Sequence, residues 1–291
     1  MPELPEVETM RRGIAHLAGG RIESVVFPRS TVRPIVTHPG PRIMAARLAR
    51  RTLAAVHRFG KRVAIELEPQ GREARGWLVI EPRMTGLLLV VDPPSQPHVR
   101  LELSITLTSG STRLIFWDRR GLGTIRLLDD RGLDRACGPD RLGPDGLTIT
   151  GEQLAVHLGA SRRAVKVALL DQRAVAGIGN IYAAEILLEA AIDPRVPCRR
   201  LDDDAWERIA TAARRLLAEA VRLEGSTIGD ETYRTADNRS GRFQLRHRVY
   251  GRSGQPCHRC GAAIERIVQA QRSTFFCPRC QWHPRRRCRS L

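Results

Sequence analysis

The spacing of apolar positions changes several times along the 291 residues. Val7, Met10, Ile14 and Leu17 recur at helical spacing, which predicts an amphipathic helix over 5–18 ended by Gly19-Gly20. Pro5 and Glu6 suit its first turn, one by its fixed φ and the other by its charge against the helix dipole. From 21 to about 128 the period falls to two. Val99, Leu101, Leu103, Ile105 and Leu107 alternate with more polar residues, and similar runs lie at 22–27, 63–67, 77–80, 86–91, 113–117 and 124–128. Short strands between Gly, Pro and Asp turns predict a sandwich or barrel. The stretch 129–148 is rich in those turn residues and reads as a linker. A helical pattern returns over 151–224, with N-caps offered by Asp202–Asp204 and a stripe of Ile209, Leu216, Leu217 and Val221 ending at Gly225. Residues 225–249 then carry few apolar positions, and a loop that long between ordered modules is usually functional or disordered. The expected organisation is an α+β multidomain chain. It has an N-terminal helix and β-sandwich over 1–135, a linker over 136–150, and a helical domain over 151–248 that includes a loop at 225–248. A zinc finger over 249–284 and a basic tail over 285–291 complete it.

Composition narrows the class. Apolar residues make up 42%, enough for a core, which excludes a wholly disordered chain. No uncharged run approaches the ~18 residues of a membrane span, and the acidic, Pro-rich start excludes a signal peptide. Lys and Arg number 48 against 31 Asp and Glu, a net charge of +17, so a polyanion is the expected partner and nucleic acid the first candidate. Nearly all of that charge is arginine, because Lys61 and Lys166 are the only lysines. Residues 251–291 hold nine Arg and one acid, Glu265, and also five of the seven cysteines.

Those cysteines are patterned. Cys257-x2-Cys260 and Cys277-x2-Cys280 are separated by 16 residues, the arrangement of a four-thiolate zinc site. Two disulfides are the competing reading, and they conflict with the missing signal peptide and a reducing compartment. His258, His283 and Cys288 lie close enough to be rival ligands, whereas Cys137 and Cys198 read as ordinary thiols. Residues 262–276 between the knuckles can form a short hairpin. Four thiolates leave no open position, so one structural Zn2+ is expected to supply much of the folding free energy of so small a module.

The chain starts Met1-Pro2-Glu3. Removal of Met1 before a small residue would expose a prolyl secondary amine. A free α-amine has a pKa of about 8, so roughly a tenth is neutral and nucleophilic at pH 7. Attack of such an amine on a sugar C1′ gives an iminium that cannot lose its charge, an electron sink that favours elimination. Glu3 could move the protons. From these residues alone, a Pro-Glu-x-Pro-Glu helix cap is the better explanation of the segment.

PELPEVET at 2–9 resembles the opening of the formamidopyrimidine-DNA glycosylases, the Fpg/Nei family. VAGIGNIYAAEIL at 175–187 resembles that family's helix–two-turns–helix element, and VYGRSGQPC at 249–257 with RSTFFCPRCQ at 272–281 resembles its zinc finger. Leu4 resembles the oxidised-purine branch rather than the endonuclease VIII branch, which acts on oxidised pyrimidines. The resemblance implies a bifunctional glycosylase and AP lyase acting on double-stranded DNA that contains an oxidised base. It implies a monomer in a bacterial-type cytoplasm, with no membrane contact. Oxidised pyrimidines, or non-catalytic binding of damaged DNA, are the alternatives.

By the same resemblance Pro2 is the nucleophile and Glu3 the general acid/base, with Glu6 a second acid near the centre. Lys61 matches a phosphate-contacting lysine and Lys166 a lysine near the damaged base. Asn180 and Arg272 match phosphate-binding positions. Met84, Arg120 and Leu122 match the three side chains that fill the space of an extruded base. Leu122 stands where Phe is usual, and Gly121 where a second Arg is usual. The segment after Gly225 resembles the loop that closes over the base, with Ser226, Thr227 and Tyr233 as candidates.

Overall fold

The computed structural model describes residues 2–29, 33–71, 73–228 and 232–281. Met1, the rival ligands His283 and Cys288 and the basic tail lie outside the described residues. The chain divides into two compact units, Met1–Gly138 with Val221–Gln244, and Pro139–Ala220 with Leu245–Leu291.

The first unit begins with α1 (Leu4–Ile14), followed by β1 (Arg21–Val26), β2 (Val36–His38), α2 (Pro41–Leu48), β3 (Leu53–Phe59) and β4 (Arg62–Leu67). Then come β5 (Gly76–Glu81), β6 (Gly86–Leu89), β7 (Val99–Leu107), β8 (Gly110–Asp118), β9 (Thr124–Leu128) and α3 (Asp130–Cys137). The strands form a sandwich. One sheet has the order β1-β7-β8-β6 and is antiparallel throughout. The other has the order β2-β9-β5-β4-β3, with only the β2–β9 pair parallel. A single apolar cluster takes Leu87, Leu101, Leu103 and Phe116 from the first sheet, Ile65, Leu78, Ile80 and Ile125 from the second, and Val7, Met10 and Ile14 from α1. The helix is thus held by the stripe that its sequence spacing predicts.

Four elements of this unit differ from the sequence reading. β3 escapes a period-two pattern because its ladder with β4 slips between Leu53 and Ala55, so its buried apolar residues, Leu53 and Val56, are three apart. β2 is only three residues long, and α2 buries just Met44 and Leu48. The stretch read as linker contains α3. Asp129 caps it, its Oδ1 accepting the Gly132 amide at 2.7 Å, and the helix buries Gly132 and Cys137.

The second unit is helical, with α4 (Gly151–Leu158), α5 (Val165–Ala168), α6 (Asn180–Glu189) and most of α7 (Asp203–Arg222). Asp202 caps α7 by accepting the Ala205 amide at 2.8 Å. The hairpin β10 (Glu265–Gln269) and β11 (Arg272–Phe276) closes the unit. Ala184 and Leu188 of α6 pack with Val249, Cys257, Ile264 and Cys277 in a second small core. None of the described helices is long and apolar enough to cross a membrane.

The segment leading to the zinc hairpin carries a pH-dependent element. His247 stacks edge-on against Tyr250, and Tyr250 against Phe275 of β11. Burial withholds water from the imidazolium and pushes the His247 pKa down to about 4. An unfolded histidine titrates near 6.5, so the unfolded state takes up the proton first. The stabilisation is therefore complete above about pH 6.5 and is lost as pH falls toward 4, by at most about 3 kcal/mol. The thermal midpoint should fall over that window, and a His247→Gln variant should show a shallower fall. An identical slope in the variant would remove His247 from the account.

Candidate functional site

At the N-terminus, Pro2 and Glu3 are both buried. Glu3 is the extended N-cap residue of α1 and forms a capping box with Glu6. Glu6 is itself buried, and its two carboxylate oxygens have separate tasks. Oε2 accepts the Glu3 amide at 2.8 Å, and Oε1 accepts the Ser226 amide at 2.8 Å. Glu6 therefore caps α1 and holds the loop at Ser226 with one side chain. Gly225 makes the approach possible: its φ is +76°, and a Cβ there would lie 2.8 Å from Glu6 Oε1.

The loop after Gly225 is fastened internally. Thr227 Oγ1 donates to the Tyr233 carbonyl at 2.8 Å and accepts the Gly241 amide at 2.9 Å. The Tyr233 hydroxyl donates to the Glu224 carbonyl at 3.0 Å. Burial first, and the Glu6 carboxylate second, push that phenol well above its ordinary pKa, so it remains a donor. Ser226, Thr227 and Tyr233 thus shape the loop through its backbone. Part of the loop, 229–231, lies outside the described residues.

Lys61 occupies the β3–β4 turn, half-buried, after Gly60 at φ +56°. Met84 and Arg120 are exposed on two separate loops of the same unit, and Leu122 is half-buried. A residue not singled out in the sequence reading, Asp118, joins those loops. Its Oδ1 accepts from Thr85 Oγ1 and, at 3.2 Å, from the Arg120 amide, while Oδ2 accepts the Gly123 amide at 2.8 Å. Thr85 Oγ1 also accepts the Arg120 amide at 3.0 Å. One buried carboxylate and one hydroxyl therefore set the bases of the Met84 and Arg120 loops together. Gly121 has φ +61°, and a Cβ would meet the Arg33 carbonyl at 2.5 Å, so an arginine would not fit this backbone.

In the second unit Lys166 lies on α5 and is 0% exposed. Its Nζ donates to Asn180 Oδ1 at 2.6 Å, and Asn180 Nδ2 donates to the Ser273 carbonyl at 3.1 Å. Asn180 opens α6 behind Gly179, and Gln172 holds the preceding turn. Gln172 Oε1 accepts the Gly177 amide at 2.9 Å, and its Nε2 donates to the Leu170 and Ile178 carbonyls. Nothing in the local pattern of Asp118 or Gln172 marks them out; their partners are mostly backbone groups of turns, visible only after folding. Arg272 is exposed at the start of β11, next to Ser273.

The four knuckle cysteines converge. Their sulfurs all lie within 4.8 Å of one another, with 3.9 Å between Cys257 and Cys280 and 3.5 Å between Cys260 and Cys277. Tetrahedral zinc with Zn–S of about 2.3 Å places sulfurs ~3.8 Å apart, whereas a disulfide needs ~2.05 Å. Burial and the neighbouring sulfurs push the Cys280 thiol above its ordinary pKa. The donor set fits one four-coordinate Zn2+ that cross-links the two knuckles. His258 is not part of the cluster.

Three family models match successive parts of the chain. The formamidopyrimidine-DNA glycosylase N-terminal domain matches 1–125, the formamidopyrimidine-DNA glycosylase H2TH domain 142–232, and the zinc finger found in FPG and IleRS 254–281. The formamidopyrimidine-DNA glycosylase of Chloroflexus aggregans is 42% identical over 287 residues, 97% of this chain and 98% of the relative. A crystal structure of the MutM (Fpg) protein from Thermus thermophilus superposes with a TM-score of 0.81 at 38% identity, covering 96% of this chain and 98% of that one. A Lactococcus lactis Fpg variant in complex with a Fapy-dG containing DNA superposes with a TM-score of 0.82 at 31% identity, covering 97% and 100%.

Proposed function

The chain belongs to the formamidopyrimidine-DNA glycosylase family, and on that premise we propose that it excises oxidised purines from duplex DNA in base excision repair. It acts as a bifunctional DNA glycosylase and AP lyase on lesions such as 8-oxoguanine and formamidopyrimidines. The observation that carries this reading is the seating of Pro2 and Glu3 at the start of α1, on the helix whose Glu6 also holds the loop at Ser226.

Without Met1, Pro2 presents a secondary amine beside a helix N-terminus, whose positive end favours the neutral, nucleophilic form. The nitrogen bonds to the sugar C1′, the N-glycosidic bond breaks, and the base leaves with the bonding pair and takes up a proton. The amine gives up its own proton, O4′ takes one up as the C1′–O4′ bond breaks, and the opened sugar is left as an iminium between Pro2 and C1′. Loss of a C2′ proton breaks the C3′–O bond, and a second elimination breaks the C5′–O bond. A one-nucleotide gap with phosphates at both ends results. Glu3, the nearest buried carboxylate in sequence, carries these protons.

Lys61, Asn180 and Arg272 hold backbone phosphates. Met84, Arg120 and Leu122 fill the space of the extruded base. Leu122 wedges with less stacking than an aromatic ring, so the opposite base is read chiefly by Arg120. The structural zinc orders the hairpin that presents Arg272 and takes no part in bond breaking. The protein works as a monomer in a bacterial-type cytoplasm. Excision over a panel of lesions tests the assignment: 8-oxoguanine should be removed faster than thymine glycol, by at least tenfold. The reverse ranking would move the protein to the oxidised-pyrimidine branch.

A further inference from the structure

The two lysines of this arginine-rich chain occupy different environments. Lys61 is half-buried in a turn, whereas Lys166 is 0% exposed. An ammonium group only donates, so the oxygen of Asn180, at 2.6 Å, must be the edge that faces it. A carbonyl only accepts, so the nitrogen of Asn180 must face Ser273, at 3.1 Å. Together the two partners remove the ambiguity of the amide. One N–H is spent on Ser273, and the second has no acceptor among the described residues, at a half-exposed position that opens α6. Ser273 follows Arg272 in sequence, so the same chain of bonds ties Asn180 to the strand that carries that arginine.

We infer that Lys166 is a positioning residue, which fixes the Asn180 amide with an N–H available to a DNA phosphate and ties it to the zinc hairpin. It acts through Asn180 and not by its own contact to the backbone. The slot also explains why lysine persists here. A guanidinium would bring five donors and a planar fork into a fully enclosed site that suits a compact ammonium. This inference rests on the DNA-binding reading of the preceding subsection.

The test uses the full-length, zinc-loaded protein and a duplex with a tetrahydrofuran abasic-site analogue, which is bound without cleavage. Kd is measured across a salt series for wild type, Lys166→Met, Lys166→Arg, Asn180→Ala and the Lys166→Met/Asn180→Ala double variant. A cation that itself neutralises a phosphate contributes about 0.9 to the slope of log Kd against log salt. The expected result is a Kd about tenfold weaker for Lys166→Met at an unchanged slope, no further loss in the double variant, and no rescue by arginine. A slope lower by about 0.9 with additive losses, or full rescue by arginine, would overturn the inference. Asn180→Asp keeps the test decisive if Lys166→Met loses its zinc. Its carboxylate pairs with the buried ammonium, so the thermal midpoint should hold while binding weakens at least tenfold. Wild-type binding by Asn180→Asp would equally overturn it. Absence of binding by the wild-type protein would count against the functional reading itself and is distinct from all of these results.

Discussion

Replacing Glu3 by glutamine should lower single-turnover excision of 8-oxoguanine by about 10³-fold, within the range of a positioned general acid/base. The fold should survive. Glutamine retains an acceptor oxygen for the capping box with Glu6, so the thermal midpoint should stay within a few degrees of wild type. DNA affinity should also hold, because the substitution removes a proton carrier and not a phosphate contact. Glu3→Ala separates the two roles: it should lose the same activity and about 1 kcal/mol of stability with the cap. Quench-flow excision with parallel melting curves reads both. An active Glu3→Gln protein would return the N-terminal carboxylates to a purely capping role.

Zinc removal should have the other large effect. Metal binding in modules of this kind is worth about 10–16 kcal/mol, and the hairpin shares only a small apolar cluster with α6. Chelation, or Cys280→Ala, should therefore unfold β10 and β11 and displace both Arg272 and Ser273. Affinity for damaged duplex should fall at least 100-fold, since the arginine contact, the hold on Asn180 and the ordered placement of the hairpin's charges are lost together. The first unit has its own sandwich core and should keep its β-sheet signal. Metal analysis should give one zinc per chain. Chelated protein that binds DNA as tightly as the zinc-loaded form would contradict this assignment.

Particular residues show what could be seen before folding and what could not. The 3–4 spacing of Val7, Met10 and Ile14 and the alternation of β7 each describe one face of one element, and those faces are buried as expected. The cysteine knuckles were legible because chelation by a tight turn fixes their spacing. β3 was missed because a bulge shifts its buried positions off period two. α3 was missed because its cap and two buried small residues leave little apolar signal. The Glu6–Ser226 bond spans 220 positions in sequence, and Asp118 and Gln172 act on backbone amides, so no local pattern announces them. For Lys166, resemblance indicated a residue near DNA, but only the structure shows it enclosed and bonded to Asn180.

The covalent role of the N-terminal amine is the claim on which the rest depends. The protein, with intact mass establishing that Met1 is absent, is mixed with an 8-oxoguanine duplex and sodium borohydride, and the cross-linked product is digested and mapped by mass spectrometry. A stable protein–DNA adduct attached to Pro2 is expected, strongly reduced in Pro2→Gly. No adduct from the Met1-free protein, or an adduct mapped to Lys61 or Lys166, would contradict it.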